Sequence, residues 1–250
     1  MIPAAALAAL LVAAEPCAPP PLLPGPPPWR TGEVLHFDFE VMGLVKAGTL
    51  SMEVGRPLFG GTQIPLRARV KNGSVFAKIR RITGDAFSWV DARTLLPERY
   101  RDEVVEDGVR KMSDARLRQQ PGAVTVDAQY GEQKSSATFQ REGEVLDALS
   151  AAYYLRAAEL KPGAEMCFDL AGNRRYWRFR GKVAAKPEPV ETPAGIFDTV
   201  RIDGTISRAD APASRRPLAV WISTDARRLL VAAASEIDLG PVSATLSRAR

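Results

Sequence analysis

Apolar and polar residues alternate along most of this chain with the two-residue period of a β-strand. Phe37, Phe39 and Val41 alternate with polar residues, and residues 47–54 and 64–71 repeat the pattern. Successive side chains of a strand point to opposite faces, so each stretch predicts a strand with one buried and one solvated face. The same alternation continues through residues 75–82, 85–91, 98–105, 109–118, 123–130 and 134–141. Short turn signals and the lack of crossover helices between these stretches favour antiparallel pairing.

One stretch, Val145 to Leu160, has the spacing of a helix instead. Its apolar positions recur three to four residues apart, at Leu146, Leu149, Tyr153, Ala157 and Leu160. The following Lys161-Pro162-Gly163 ends a helix, because the residue before proline avoids the helical region and glycine accepts a left-handed turn. The sequence therefore predicts one principal helix over 145–160 in a β-rich fold.

The predicted fold class is mainly β, a β-rich α+β protein. A large antiparallel sheet curls, and a single helix can cover its concave face, which makes a half-barrel with a groove. No repeat of fixed length and no second proline-rich stretch divides the chain, so residues 30–250 are predicted to form a single domain. A division at the helix is the alternative.

The N-terminus predicts export. Residues 2–14 are an uncharged apolar run, too short for a mature membrane anchor, so residues 1–14 are interpreted as a signal peptide cleaved before Glu15. The run lacks a basic region, which leaves the true start codon open. Residues 15–29 are rich in proline and predict an extended linker that packs against no core. The expected location is periplasmic or envelope-associated, with no stable transmembrane segment after signal removal.

The two cysteines, Cys17 and Cys167, bear on anchoring and on pairing. Ala14, Glu15 and Pro16 precede Cys17, whereas a lipoprotein signal needs a small residue directly before the cysteine and usually Leu three residues before it, so this context argues against lipoprotein anchoring. In an exported protein the two cysteines are able to form a disulfide. A buried free thiol at Cys167 with a mobile Cys17 is the alternative.

The composition argues against some kinds of site but specifies no particular ligand or reaction. Lys and Arg number 34 against 29 Asp and Glu, for a net charge of +5, which suits an anionic partner without specifying one. His36 is the sole histidine and lies on the polar face of a strand, and neither cysteine has metal-ligand spacing. Asp147 and Arg156 are explained by the start of the helix and by a salt bridge. We expect no metal, no cofactor and no catalytic set.

Residues 174–182 alternate between apolar side chains on one face of a predicted strand and mostly basic side chains on the other. Trp177, Phe179 and Val183 alternate with a basic set that is predicted to face solvent, namely Arg174, Tyr176, Arg178, Arg180 and Lys182. Cations two residues apart on a strand lie about 7 Å apart, a spacing that suits phosphates or acidic sugars. A solvated face with cross-strand acidic partners is the alternative. Export disfavours nucleic acid as the ligand.

Four segments together resemble the domain-of-unknown-function 3108 family of exported bacterial proteins. They are Gly32–Phe37, Asp147–Arg156, Glu191–Thr199 and Val220–Asp225. The resemblance implies a Gram-negative envelope protein similar to the open, curled sheets of lipoprotein carriers, which hold acyl chains or peptides in the concave face. It brings no catalytic residues.

Three hypotheses for function follow. The first is a non-enzymatic envelope protein that binds a hydrophobic or amphipathic ligand, such as a lipid, in the concave face beside Leu146, Leu149 and Tyr153. The second is a scaffold that docks an anionic glycan or an envelope protein through the basic strand. The third, a hydrolase, rests only on His36 and scattered acids.

Overall fold

The computed structural model describes residues 17–43, 45–118, 122–141, 143–172, 175–208 and 211–250. The predicted signal peptide, residues 1–14, and the predicted ligand-binding residue Arg174 lie outside these ranges.

The described residues form sixteen strands and one α-helix. The first eight strands are β1 Val34–Val41, β2 Val45–Val54, β3 Gln63–Asn72, β4 Ile82–Asp91, β5 Pro97–Glu106, β6 Val109–Arg116, β7 Ala123–Tyr130 and β8 Gln133–Gln140. A short β9, Val145–Asp147, leads directly into α1, Ala148–Ala157. The remaining strands are β10 Glu165–Gly172, β11 Arg175–Val183, β12 Glu188–Thr192, β13 Gly195–Arg208, β14 Arg215–Ser223, β15 Leu230–Ile237 and β16 Gly240–Ala249.

All sixteen strands belong to one sheet. Its order is β8-β7-β6-β5-β4-β3-β2-β1-β16-β15-β14-β13-β11-β10-β9, and β12 pairs with β13 beside this path. Of the pairs in the described ranges, β9 with β10 is parallel and the others are antiparallel. The sheet is open, with β8 and β9 as its edges. The predicted curled, β-rich sheet with a single principal helix is therefore confirmed.

Curling brings distant strands of the sheet together. Side chains from both halves, among them Phe37, Val126 and Phe179, share one buried core with α1. Phe139 of the edge strand β8 stacks on Tyr176 of β11, with ring centroids 5.6 Å apart, although eleven strands separate β8 from β11 in the sheet order. The sheet thus rolls until its β8 edge faces its other end, and we call this meeting line the seam.

The predicted strand 75–82 is wrong. The chain forms a 3-10 turn at Phe76–Lys78, and β4 begins only at Ile82. Phe76 is buried in a small second core with Val41, Ala47 and Val242. A single buried anchor between exposed neighbours imitates strand alternation in the sequence, because over a few residues the two patterns coincide.

The helix is shorter than its predicted range of 145–160. Residues 145–147 pair with β10 as β9, and Asp147 is the N-cap of α1, with φ −113° and ψ 172°. Its carboxylate accepts hydrogen bonds from the backbone N–H groups of Leu149 and Ser150, and Ser150 Oγ accepts one from the Asp147 N–H. At the other end Ala158 is extended and pairs with Leu22, so the backbone leaves the helix there.

The proline-rich segment packs against the helix, which differs from the free linker predicted for residues 15–29. Cys17 forms a disulfide with Cys167 of β10, with Cα atoms 4.8 Å apart. The N–H of Leu23 donates to the carbonyl of Ala157 over 2.8 Å, and Tyr154 Oη donates to the carbonyl of Pro20 over 3.0 Å. Proline supplies no N–H, but its carbonyl accepts hydrogen bonds freely, so an extended proline-rich segment is able to strap a helix. We call residues 17–29 the strap.

Candidate functional site

The concave face at α1 is filled by protein. Leu146, Leu149 and Tyr153, which the sequence predicts as ligand contacts, are all buried in the main core. Tyr153 packs edge-on against Trp29 of the strap, with ring centroids 5.2 Å apart. In this conformation the three side chains contact protein, so a ligand reaches them only if α1 or the strap moves.

Arg156 fixes the helix in this position. Its fully buried guanidinium donates to both carboxylate oxygens of Glu33, over 2.6 and 3.0 Å, and to the carbonyl of Arg228 over 2.8 Å. It also lies 5.4 Å from the ring centroid of Trp29 and 5.3 Å from that of Tyr153. A bidentate pair combined with ring contacts holds the guanidinium in one orientation. Its partner Glu33 ties the helix to the chain just before β1.

Asp147 caps the helix and has a perturbed acidity. Ser88 of β4 donates to Asp147 Oδ2 over 2.6 Å, and the carboxyl is fully buried. Burial raises its pKa to about 6, against the lowering effect of the hydrogen bonds from Ser88, Ser150 and Leu149. The carboxylate is thus engaged by a hydroxyl and by the helix N-terminus, as expected for a capping residue.

His36 is partly buried on β1. Burial, and then the positive charges of Arg248 and Arg250, lower its pKa. The imidazole is consequently neutral at neutral pH. No group of three or more His, Cys, Asp or Glu side chains in the described ranges is arranged to hold a metal ion.

The described residues of the basic strand lie partly at the seam and partly in solvent. Arg180 and Lys182 are exposed, as predicted, but Tyr176 is buried beneath Phe139. Tyr176 Oη donates to Asp169 Oδ2 over 2.8 Å, and Arg178 donates to both oxygens of Asp169, over 2.7 and 3.0 Å. Burial and the Asp169 carboxylate raise the pKa of Tyr176. The prediction that Tyr176 faces solvent is therefore wrong, because the rolled sheet covers it.

A groove of about 670 Å³ runs along the seam, and we call it the seam groove. Its described lining residues are Thr138, Phe139, Gln140, Tyr176, Arg178, Arg180, Thr205, Ser207, Arg208, Pro212 and Arg215. Four of these are arginines and none is acidic, although Asp169 lies behind Tyr176 and Arg178. The groove combines a stacked aromatic pair, a row of hydroxyls and a cationic wall.

The sequence predicts some of the residues that line this groove. Tyr176, Arg178 and Arg180 belong to the predicted basic strand, and Lys182 continues the same face of β11 beyond the groove, beside the strap. Phe139, Arg208 and Arg215 were missed. They come from β8, β13 and β14, and only the register of β11 with β13 and the roll of the sheet bring them together.

A second groove, of about 950 Å³, lies on β3, β4 and β5, on the face turned away from α1. Phe87 and Trp89 stack at its floor with centroids 6.0 Å apart. Arg67 lies 5.2 Å from the Phe87 ring centroid, and Arg67 and Arg69 both pair with Asp85, over 2.7 and 3.1 Å. The two arginines share one carboxylate, a pattern typical of a solvated strand face with cross-strand ion pairs.

Comparison with known proteins identifies the family. Residues 36–247 match the model of the family described as a protein of unknown function, DUF3108. The chain belongs to this family. Since the match covers most of the chain, the resemblance noted in the sequence is confirmed; the description of the family names no activity. No curated protein matches the chain.

Solved structures relate the fold to other families. A β-barrel-like protein of the domain-of-unknown-function family DUF1849, from Brucella abortus, is similar with a TM-score of 0.57 at 8% identity, covering 88% of this chain and 97% of its own. A Bacteroides fragilis protein assigned an exported location and a YmcC-like fold reaches a TM-score of 0.35 at 11% identity, covering 94% and 100% of the two chains. A protein assigned as a lipoprotein from Parabacteroides distasonis reaches 0.36 at 12% identity, covering 88% and 96%. The first similarity supports an open, barrel-like fold; the other two are too low to add to it.

Within the described ranges, no helix is long and apolar enough to cross a membrane.

Proposed function

We propose that this protein is a non-catalytic, exported protein of the cell envelope that binds an anionic amphipathic molecule in the seam groove. The observation that carries the proposal is the combination of four arginines with an aromatic pair in one groove. Guanidinium groups bind phosphate and carboxylate by paired hydrogen bonds, and aromatic rings pack on apolar chains or sugar rings. An amphipathic molecule with an acidic headgroup presents both chemistries.

Two features support export. The apolar run of residues 2–14 has the length of a signal peptide. The disulfide between Cys17 and Cys167 is of a kind that persists in oxidising compartments such as the periplasm. Cys17 also lies just beyond the expected cleavage site, so the mature protein would keep the disulfide.

The seam groove is favoured over the concave face because it is open in this conformation. The concave site predicted from the sequence requires contacts with Leu146, Leu149 and Tyr153, all of which are buried. Exposing them would break the Arg156–Glu33 pair and the strap contacts. Binding at the seam needs neither change.

An acidic glycan is the second candidate. Arg180 and Lys182 lie two residues apart on β11 and are exposed, so they extend the cationic surface beyond the groove. A polymer with regularly spaced carboxylates fits such a row better than a single headgroup does.

Calorimetric titration of the mature protein with oleoyl lysophosphatidic acid tests the proposal. The variant carrying Arg180→Glu and Arg215→Glu removes two cations of the groove that make no ion pair with Asp169. We expect binding at least about tenfold weaker than that of the unmodified protein, since a hydrogen bond to a charged group contributes about 1.5–3 kcal/mol. Binding should also weaken as salt is raised.

Arg175→Glu is the matched control, because Arg175 lies on the same strand but outside the groove lining. It should bind lysophosphatidic acid as the unmodified protein does. Polygalacturonate in place of the lipid tests the glycan candidate. Equal affinity of the double variant and the Arg175→Glu control for both ligands would reject the seam groove as the site.

A further inference from the structure

One end of the sheet gathers exposed apolar side chains. Three segments meet there: the β1–β2 turn, the loop 73–81 and the β15–β16 turn. Met42 is 60% exposed, Val75 64% and Ile79 65%. A single exposed apolar residue is ordinary on a protein surface, but several on one end of a molecule are typical of an interaction site. We call this the hairpin end.

The contacts between these segments hold the apolar side chains in place. The backbone N–H of Gly73 donates to the carbonyl of Ala47 over 2.7 Å, and that of Met42 donates to Pro241 over 2.6 Å. Arg80 reaches Asp238 of the β15–β16 turn through two hydrogen bonds, of 3.0 and 2.7 Å. The 3-10 turn is further fixed by Phe76, which is buried against β1, β2 and β16. Val75 and Ile79 are thus displayed by an anchored turn.

Acidic and basic side chains both surround these residues: Arg80 pairs with Asp238 and Glu106, and the Asp107 carboxylate accepts a hydrogen bond from the backbone N–H of Arg81. Three exposed cations nearby have no ion-pair partner in the part of the chain that the structure describes. Lys78 lies between Val75 and Ile79 on the turn and is exposed, as are Lys71 and Arg81 at its two ends. None of these three side chains forms an ion pair within the described residues. Most other arginines of β3 to β6 have a carboxylate partner, for example Arg99 with Asp114 and Arg110 with Glu103.

We propose that the hairpin end is a peripheral docking site for an anionic lipid surface. Apolar side chains interleaved with unpaired cations match the boundary of such a membrane, where acyl chains begin below a layer of negative headgroups. Val75, Ile79 and Met42 enter at the headgroup level, and Lys78, Lys71 and Arg81 contact phosphates. The site is distinct from the seam groove.

Flotation with vesicles of phosphatidylglycerol and phosphatidylethanolamine tests this docking. The mature protein should float with these vesicles and not with phosphatidylcholine vesicles, and the bound fraction should fall with added salt. Lys78→Glu should weaken binding about fivefold or more, from the contribution of each basic residue near a charged membrane surface. The variant with Val75→Asp and Ile79→Asp should not float with the vesicles, because acidic groups replace the inserting side chains.

Ile196→Asp is the matched control. Ile196 is 73% exposed and lies on the β12–β13 hairpin, at the opposite end of the strands. The Ile196→Asp variant should float like the unmodified protein. The Arg180→Glu, Arg215→Glu variant should also float, because the hairpin end is separate from the seam groove.

Three outcomes would overturn the docking site. The first is that the unmodified protein does not float, and the second is that Ile196→Asp weakens flotation as much as the Val75 and Ile79 changes do. The third is a protein dimer in solution that the Val75→Asp, Ile79→Asp variant abolishes, which would assign the surface to a second copy of the chain.

Discussion

At the scale of single residues, Arg156 dominates the interior. It is the largest of the fully buried side chains, and it joins the helix to Glu33 and to the carbonyl groups of Arg227 and Arg228. A buried charge is tolerated only when its partners satisfy it, because removal from water costs several kcal/mol per ion. The pair therefore specifies where α1 lies more than it adds to stability.

Arg156→Met should destabilise the protein by about 3–5 kcal/mol, because it leaves the Glu33 carboxylate buried without its counter-charge. Urea unfolding measures the loss. Adding Glu33→Gln to Arg156→Met should recover part of it. Lys46→Met is the surface comparison: Lys46 pairs with Asp38 in solvent, so its loss should cost less than about 1 kcal/mol. Equal costs for the two single variants would contradict the role of Arg156.

Asp147 should make stability depend on pH. Burial raises its folded pKa to about 6, whereas an unfolded Asp titrates near roughly 3.9. The folded protein therefore binds the proton more tightly, so this group's contribution is fully present below about pH 4 and is lost as the pH rises through about 6. The shift corresponds to about 3 kcal/mol.

Asp147→Asn checks this, because Asn is also an effective N-cap but does not titrate. The stability of the unmodified protein, relative to the Asn variant, should fall between about pH 4 and about pH 6. Unfolding measured by denaturant at each pH gives this difference. A difference that stays constant over the range would mean that the Asp147 carboxyl titrates alike in the folded and unfolded states.

The sequence predicts the role of Asp147 but not that of Arg156. The role of Asp147 at the helix start follows from local pattern, since a cap acts within four residues. The partner of Arg156 does not, because Glu33 lies 123 residues away in the chain. Nothing in a single sequence distinguishes a buried arginine of this kind from a solvated one.

At the scale of elements, the strap and α1 form one unit. The strap is joined to the helix by hydrogen bonds at Leu23 and Tyr154, by the Trp29 ring, and to β10 by the disulfide. Proline content predicts an extended segment that packs against no core, whereas residues 17–29 lie against α1. The sequence did not reveal its packing, because that depends on carbonyl groups and on a disulfide that the spacing alone left open.

Reducing the disulfide should destabilise the protein. It closes a loop of 150 residues, for which chain entropy predicts about 5 kcal/mol, and the loss of a native disulfide typically costs about 2–5 kcal/mol. Thermal unfolding with and without a thiol reductant measures the effect, and the reduced strap should become sensitive to limited proteolysis. A Cys17→Ser variant should already show both changes and should not respond to reductant. Resistance of the reduced strap to protease would contradict its attachment through Cys17.

Alternation of apolar and polar residues predicts the positions of most strands. It fails in one segment, where a short turn produces the same pattern. Residues 85–91, 98–105 and 123–130 all lie within strands, because one face of each meets the core over several residues. In the predicted strand 75–82, a single buried Phe76 between the exposed Val75 and Ile79 gives the same signal. The exposed apolar neighbours there are explained better by docking at the hairpin end than by sheet structure.

At the scale of the whole molecule, the roll of the sheet creates the seam and with it the proposed binding groove. Sequence pattern predicts that a large sheet curls, but not which strands meet, because the roll sums small twists over many strands. The DUF1849 protein has a similar fold at 8% identity, so two very different sequences satisfy this architecture. The chemistry of the groove must therefore be sought in residues such as Arg180 and Arg215, and not in the fold itself.

We propose that the ligand lies in the seam groove and not beneath α1. A lysophosphatidic acid with a photoreactive diazirine in its acyl chain, cross-linked to the mature protein and mapped by mass spectrometry, tests it most directly. We expect labels on the groove lining, at Phe139, Tyr176 or Thr205, that disappear in the Arg180→Glu, Arg215→Glu variant. Labels at Leu149 or Tyr153 that persist in that variant would contradict it and place the ligand in the concave face.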